Sequence, residues 1–258
     1  MSEMIIVEPF ALSYGGAAPS FLNSRGIDGG NLIELDPREV WVDNVGTGTY
    51  WFDIDLGAAI DWDTIALFNV SALAGATWAI TGGAALLATT YLANSTMRLT
   101  SEDGIAIPSS PALFVSPVAI NGRFVRITIA PNGGPFNSIG CLIIGKSWKP
   151  GLPREYGAGR PPLDTGSRTR LDGGGLATVP GVLTSGFKWV FGDLEDTDLA
   201  KLWGIIRRRR TTEPLVLIED PSAPTAESVH YCTLVELEAY ERRQASKSRW
   251  ALTVEDWI

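Results

Sequence analysis

The sequence is short of the residues that most often do chemistry. It has one histidine, His230, and two cysteines, Cys141 and Cys232. A Ser-His-Asp or Cys-His centre would have to be built on His230, and no Gly-x-Ser-x-Gly elbow accompanies it. One histidine and two cysteines do not make a four-ligand zinc site. His230 falls inside a predicted strand, so a histidine satisfied by a neighbour is the expectation. The cysteines also fall in predicted strands and are expected to be buried thiols, because an unbridged cysteine behaves as a small apolar residue.

Other absences narrow the function classes further. No Gly-rich phosphate loop is present, since Gly46-Thr47-Gly48-Thr49 lacks a lysine and leads into a strand pattern. Charged residues make up only 19%, with a net charge of -8 and a pI of about 4.8. That balance argues against a general nucleic-acid surface, which relies on clustered Lys and Arg. The most apolar tract, residues 65–92, is broken by Gly75, Gly82 and Gly83, so no stretch reaches the roughly 20 apolar residues of a membrane span. The N-terminal MSEMIIVEP has acids where a signal peptide needs positive charge. Synthesis in the cytoplasm without export and no membrane insertion are therefore expected.

What the sequence does contain is strand and turn chemistry, with 45% hydrophobic residues, 28 Gly and 16 Pro. In Tyr50 to Val70, Phe52, Ile54 and Leu56 alternate with Asp53 and Asp55, the period of a strand with one face on a core. Gly57 ends that run, and Ile65, Leu67 and Phe68 start a second strand. Further short strands are expected at Ile5 to Phe10, Val40 to Val42, Thr77 to Thr81, Thr89 to Leu92, Phe124 to Ile129 and Ile139 to Ile144. Residues 101–117 read as a loop because Pro108, Pro111 and Pro117 remove backbone donors. The expected fold class is mainly β: a β-sandwich or jelly roll over residues 1–149 and a smaller α+β sandwich over 176–258. Residues 150–175, rich in Pro and Gly with Arg154, Arg160, Arg168 and Arg170, read as a connector with little regular structure.

The closing unit holds one helix, from about Glu195 to Arg209. Leu199, Leu202, Trp203 and Ile206 lie at i, i+3, i+4 and i+7, with acids at the positive end and Arg207 to Arg210 at the negative end. Strands at Phe187 to Phe191, Leu215 to Ile218, Val229 to Ala239 and one placing Trp250, Leu252 and Val254 inward complete it.

Three pairs of acids, Asp53/Asp55, Asp61/Asp63 and Glu236/Glu238, are spaced so that both members share a strand face. The spacing suits acid/base work and equally a solvated face, and the solvated face is preferred. No catalytic site is expected, and the chain is read as a non-enzyme. At Asp28-Gly29-Gly30-Asn31 only Asp28 and Asn31 offer side-chain oxygens, whereas a hard cation wants about six or more ligands. A turn is preferred over a structural calcium, and no cofactor is expected.

Two resemblances follow from these patterns. YWFDIDLG followed by a strand that opens after an acid, together with Trp41 and RFVRITI (Arg123 to Ile129), resembles the discoidin-type, galactose-binding-like β-sandwich. WVFGDLEDTDLAKLWGII, PLVLIEDP, HYCTLVELEAYERR and RWALTVEDW resemble the closing domain of tailed-bacteriophage distal tail and minor tail proteins, in which a sandwich with one helix packs into a ring at the tail tip. The resemblance implies a structural virion protein of the tail tip or baseplate, made in the host bacterial cytoplasm. It also implies a homo-oligomeric ring, with six copies expected ahead of three, and contacts with the tail tube, tail hub and fibres. A host surface glycan would be a further partner of the sandwich. A free carbohydrate-binding, lectin-like protein is the alternative, and a glycan hydrolase a weaker one. The long, proline-free closing strands mark Leu234, Glu236, Tyr240, Trp250 and Leu252 as candidates for subunit contact through open strand edges.

Overall fold

The computed structural model describes residues 4–10, 20–24, 29–42, 48–104, 109–131, 138–152, 155, 159–160, 162–181, 183–236 and 238–257. The chain packs as two compact units. One takes residues 5–149 and returns for 216–230, and the other takes residues 1–4, 150–215 and 231–258.

In the first unit the strands run β1 (Ile5–Pro9), β2 (Ser20–Ser24), β3 (Trp41–Val42), β4 (Tyr50–Phe68), β5 (Thr77–Gly83), β6 (Thr89–Thr96), β7 (Ala112–Ala130), β8 (Ser138–Ile139) and β9 (Cys141–Trp148). The two runs expected on either side of Gly57 are one strand, β4, bent rather than broken. Its pairing with β7 shifts register between Asp55 and Ile60 and again between Trp62 and Thr64. Gly57 takes φ +81° at the first shift, a left-handed geometry that costs glycine nothing. The strand thereby serves two layers. Its first half pairs with the end of β7, which pairs in turn with β5, and its second half pairs with the start of β7 and with β9.

The inward residues of both halves meet in one core, Phe52, Ile54, Ile65 and Leu67 from β4 with Val125 and Ile127 from β7. Antiparallel layers closed on a shared core by strands that bend from one to the other form a β-sandwich. β1 continues the second layer by pairing with β9. Pro117 lies inside β7 and not in a loop, because Ser116 to Ala119 fall between the registered pairs Thr64↔Val115 and Trp62↔Ile120. A missing N–H in that bulged segment leaves no ladder bond unmade.

The chain continues with β10 (Pro162–Asp164), β11 (Ser167–Arg170), β12 (Leu176–Val179), β13 (Leu183–Glu195), the helix α1 (Asp196–Arg209), β14 (Leu215–Ile218), β15 (Val229–Glu236), β16 (Glu241–Gln244) and β17 (Lys247–Asp256). Residues 216–218 of β14 pair with β1 in the first unit's sheet, and the other strands named here belong wholly or mostly to the second. The expected connector thus carries β10 and β11. β17 is central, with β13 on one side and β15 and β16 on the other. Phe187, Trp189 and Phe191 of β13 share a buried face with Trp250, Leu252 and Val254 of β17. The helix lays Leu199, Leu202, Ile205 and Ile206 inward, so the expected stripe holds except at Trp203, which stays 49% exposed. The chain is mainly β, with one α-helix among the described residues, as its patterning implied.

Candidate functional site

The acid pairs are the first place to look for chemistry, and the four aspartates all have partners. Asp53 sits directly opposite Arg126 in the β4–β7 register, and the guanidinium donates Nε to Oδ1 at 2.5 Å and Nη2 to Oδ2 at 2.6 Å. Arg123 grips Asp55 in the same two-pronged way at 2.7 Å and 2.7 Å. That hydrogen bonding holds the Asp55 carboxyl below the usual range, against the opposing effect of burial. Asp61 accepts from Asn121 and Lys146, which lower its pKa in that order. Asp63 accepts from the Ser147 backbone N–H at 2.7 Å and from the Ser147 and Thr64 hydroxyls.

In the second unit Glu238 accepts from Lys188 at 3.0 Å, and Glu236 ends β15 exposed to solvent. A general acid needs a raised pKa and a base needs access to substrate. Asp55 and Asp61 are shifted the other way, and Asp53 and Asp63 are buried in ion pairs and hydrogen bonds.

His230 is buried with its Nε2 3.2 Å from Glu219 Oε1, the satisfied strand histidine the sequence suggested. Cys232 follows it by two positions in the same strand. Its thiol is wholly buried, and burial pushes its pKa well up, with Asp256 adding to the effect. A nucleophilic cysteine needs the opposite shift. Cys141 is likewise buried, and neither cysteine is in a disulfide. Of the calcium candidates, Asn31 lies in a short 3-10 turn, Gly29–Ile33, and donates its amide to the Val40 carbonyl at 3.0 Å. Asp28 lies outside the described residues. Among the described residues no cluster of three or more His, Cys, Asp or Glu is placed to hold a metal.

One concave feature of the described residues lies in the second unit. A groove of about 550 Å³ is lined by Trp203, Ile206, Arg207 and Arg210 from the helix end and by Glu238 and Trp250. Trp203 lies 5.5 Å from Trp250 and 6.4 Å from Tyr240, centroid to centroid. Trp250 is pinned by donating its indole N–H to the Glu238 carbonyl at 2.8 Å. The helix ends in Arg210 at φ +53°, whose N–H closes on the Ile206 carbonyl at 2.7 Å. The groove thus has an aromatic floor, a half-exposed indole wall and two arginines on its rim. Periodicity could not find it, because it assigns Trp203 to the core stripe.

The residues expected at subunit contacts differ in exposure within the single chain. Leu234, Trp250 and Leu252 are buried in their own unit; β17 pairs with β13 along one side, and on the other with β15 at residues 253–256 and β16 at residues 247–249. Alternation along a central strand turns these side chains into the core. Glu236 and Tyr240, the latter 41% exposed, remain accessible. Tyr240 lies beyond the strand, which ends at Glu236 and not Ala239. No helix among the described residues is long and apolar enough to cross a membrane.

No family model and no curated protein matches this sequence. Solved structures overlap part of it. A point mutant of a GH29 fucosidase from Ruminococcus gnavus in complex with fucose matches over 46% of this chain and 22% of its own, at 17% identity and a TM-score of 0.35. A histidine mutant of the lectin-binding domain of lectinolysin complexed with Lewis b matches over 55% of this chain and 99% of its own, at 13% identity and a TM-score of 0.31. The chain therefore spans about a fifth of the fucosidase's length, 22%. Overlaps of this size and identity assign no activity to the chain.

Proposed function

We propose that this chain is a non-catalytic structural protein of a phage tail tip, assembling with copies of itself and with other tail proteins and presenting its first unit as a galactose-binding-like module. The observation that carries the non-catalytic part is the engagement of Asp53, Asp55, Asp61 and Asp63 in ion pairs and hydrogen bonds within the sandwich. Such pairs stiffen a sheet; they do not leave a carboxylate poised for proton transfer. The tail-tip part rests on the sequence resemblance of the closing unit, whose one helix lies against an antiparallel sheet as that resemblance implies. A ring of six copies is the expected assembly, with three the next. Electron microscopy of virions labelled against this protein tests the reading. Label at the tail tip supports it, and label elsewhere overturns it.

A lectin-like role is favoured by a different observation, the groove with its half-exposed Trp203 and rim arginines. An indole face stacks on the apolar face of a sugar ring as it does on other flat groups. A glycan array probed with the isolated chain separates the readings. Saturable binding lost in Trp203→Ala supports a glycan site in the second unit, and binding unaffected by that change removes the groove from consideration.

A further inference from the structure

Four consecutive arginines, Arg207 to Arg210, run through the end of the helix, where the macrodipole favours cations. The dipole does not account for where their side chains go. Arg209 turns to Glu213, its Nη1 donating to Oε2 at 3.1 Å. Trp203 and Arg207, four apart, share one stripe of the helix, and Arg210 at the helix cap lines the same groove. Among the described residues no ion pair or ring contact engages the guanidinium of Arg207 or of Arg210. Other arginines of this unit do meet acids: Arg242 pairs with Asp196, Arg243 with Glu155 and Glu241, and Arg249 with Glu155.

The acid on the groove's lining, Glu238, is already engaged. Its Oε1 accepts from Lys188 Nζ at 3.0 Å and from the Thr253 hydroxyl at 3.5 Å. The lining therefore presents Arg207 and Arg210 and no unpaired acid. Beside them Trp203 keeps 49% of its surface in water, although Trp250 and Tyr240 pack against its ring. An indole held from behind is a preformed platform, so a ligand that stacks on it does not have to order it. A neutral sugar ring would use that platform alone and leave both guanidiniums to water. A ring with an anionic group would use all three side chains. Elsewhere in this chain, arginine forks meet carboxylates with two nitrogens on two oxygens, at Asp53 and at Asp55.

We propose that the groove binds an acidic sugar, a ring that bears a carboxylate, with the ring stacked on Trp203 and the carboxylate held by Arg207 and Arg210. The inference rests on the lectin-like reading above and names the class of ligand that this site selects. The division of labour follows from the side chains. The indole gives affinity for the apolar face of a sugar ring and is indifferent to its charge. The two guanidiniums give the preference for the acid, because they have no anion of their own to exchange for it. A nucleic-acid backbone asks for a longer run of cations and would meet a chain of net charge -8.

Isothermal titration calorimetry on the full chain tests this with matched probes: trigalacturonate against its methyl ester, and 3′-sialyllactose against lactose. At least one acid should bind about tenfold or more tighter than its neutral counterpart. The preference should shrink with added salt and stay level from about pH 6 to about pH 9, because arginine does not titrate there. Arg207→Gln combined with Arg210→Gln should erase the preference with unchanged far-UV circular dichroism, and Trp203→Ala should remove binding of acid and neutral probe alike. Acid and neutral probes bound equally, with both lost in Trp203→Ala, would overturn the acidic class and leave the lectin-like reading standing. A preference for the acid that survives the double arginine substitution overturns the site. Binding of 6′-sulfolactose in place of 3′-sialyllactose overturns the carboxylate in favour of a sulfate. Binding of none of these probes overturns the proposal, and a blank glycan array beside it overturns the lectin-like reading as well.

Discussion

Arg126 reaches across the β4–β7 pair to hold both oxygens of Asp53, and the carboxylate side chain is only 4% exposed beneath it. Two positions along, Arg123 holds Asp55 with the same geometry but is itself 47% exposed. The two ion pairs are chemically alike and differ in how far water reaches them. Loss of a buried partner leaves an uncompensated charge, whereas an exposed guanidinium is screened.

Asp53→Ala should therefore destabilise the first unit by about 3 kcal/mol, and Asp55→Ala by less, because the guanidinium it leaves behind, Arg123, is 47% exposed and screened. Urea unfolding followed by circular dichroism measures both. Equal effects of the two substitutions would contradict the burial argument.

Acid should weaken the first unit in a defined window. Asp55 and Asp61 have folded-state pKa values below their unfolded ones, chiefly through hydrogen bonds from Arg123 and from Asn121 respectively. The unfolded state then binds protons first, so the stability these groups contribute is present above about pH 4 and is lost as pH falls through the lowered values. The urea midpoint should be flat from neutral pH to about pH 5 and decline below about pH 4. Asp55→Asn should flatten part of that decline; a midpoint that falls equally steeply in this variant would remove Asp55 as a cause.

Trp203 and Trp250 are in ring contact yet should respond unequally to truncation. Trp250 is 1% exposed and hydrogen-bonded, so Trp250→Ala should cost about 3–5 kcal/mol. Trp203 is 49% exposed and should cost about 1–2 kcal/mol, since half its surface is already in water. Thermal unfolding by calorimetry resolves the difference, and a larger loss at Trp203 would mean that the groove is closed in solution.

Neither thiol should react in the native state. Cys141 and Cys232 are fully buried, and burial raises the Cys232 pKa well above its ordinary value, so the thiolate fraction near neutral pH is negligible. A thiol-reactive chromogen should be silent until denaturant is added and should then report two equivalents. Rapid native labelling at either position would show that its strand opens.

Alternation and periodicity are local properties, and local properties are what the sequence determined. Phe52, Ile54 and Leu56 face inward because successive strand residues alternate. The one helix starts within a residue of its expected place because acids, apolar spacing and terminal arginines all agree. His230 was legible as a strand residue, but Glu219 as its partner was not.

What only the tertiary structure decided depends on which strands become neighbours. A strand central in a sheet and a strand at its edge read identically in sequence, since alternation is blind to pairing. Trp250 and Leu252 read as candidates for an open edge in the sequence, whereas the fold sets β13 beside them and turns their side chains into the core. The same holds for the residues expected as a connector, where β11 and β12 find each other across the Gly173-Gly174-Gly175 turn and remain uncovered. Whether an apolar residue such as Val179 is buried is fixed by what else the chain brings to it, and among the described residues the fold leaves it 65% exposed.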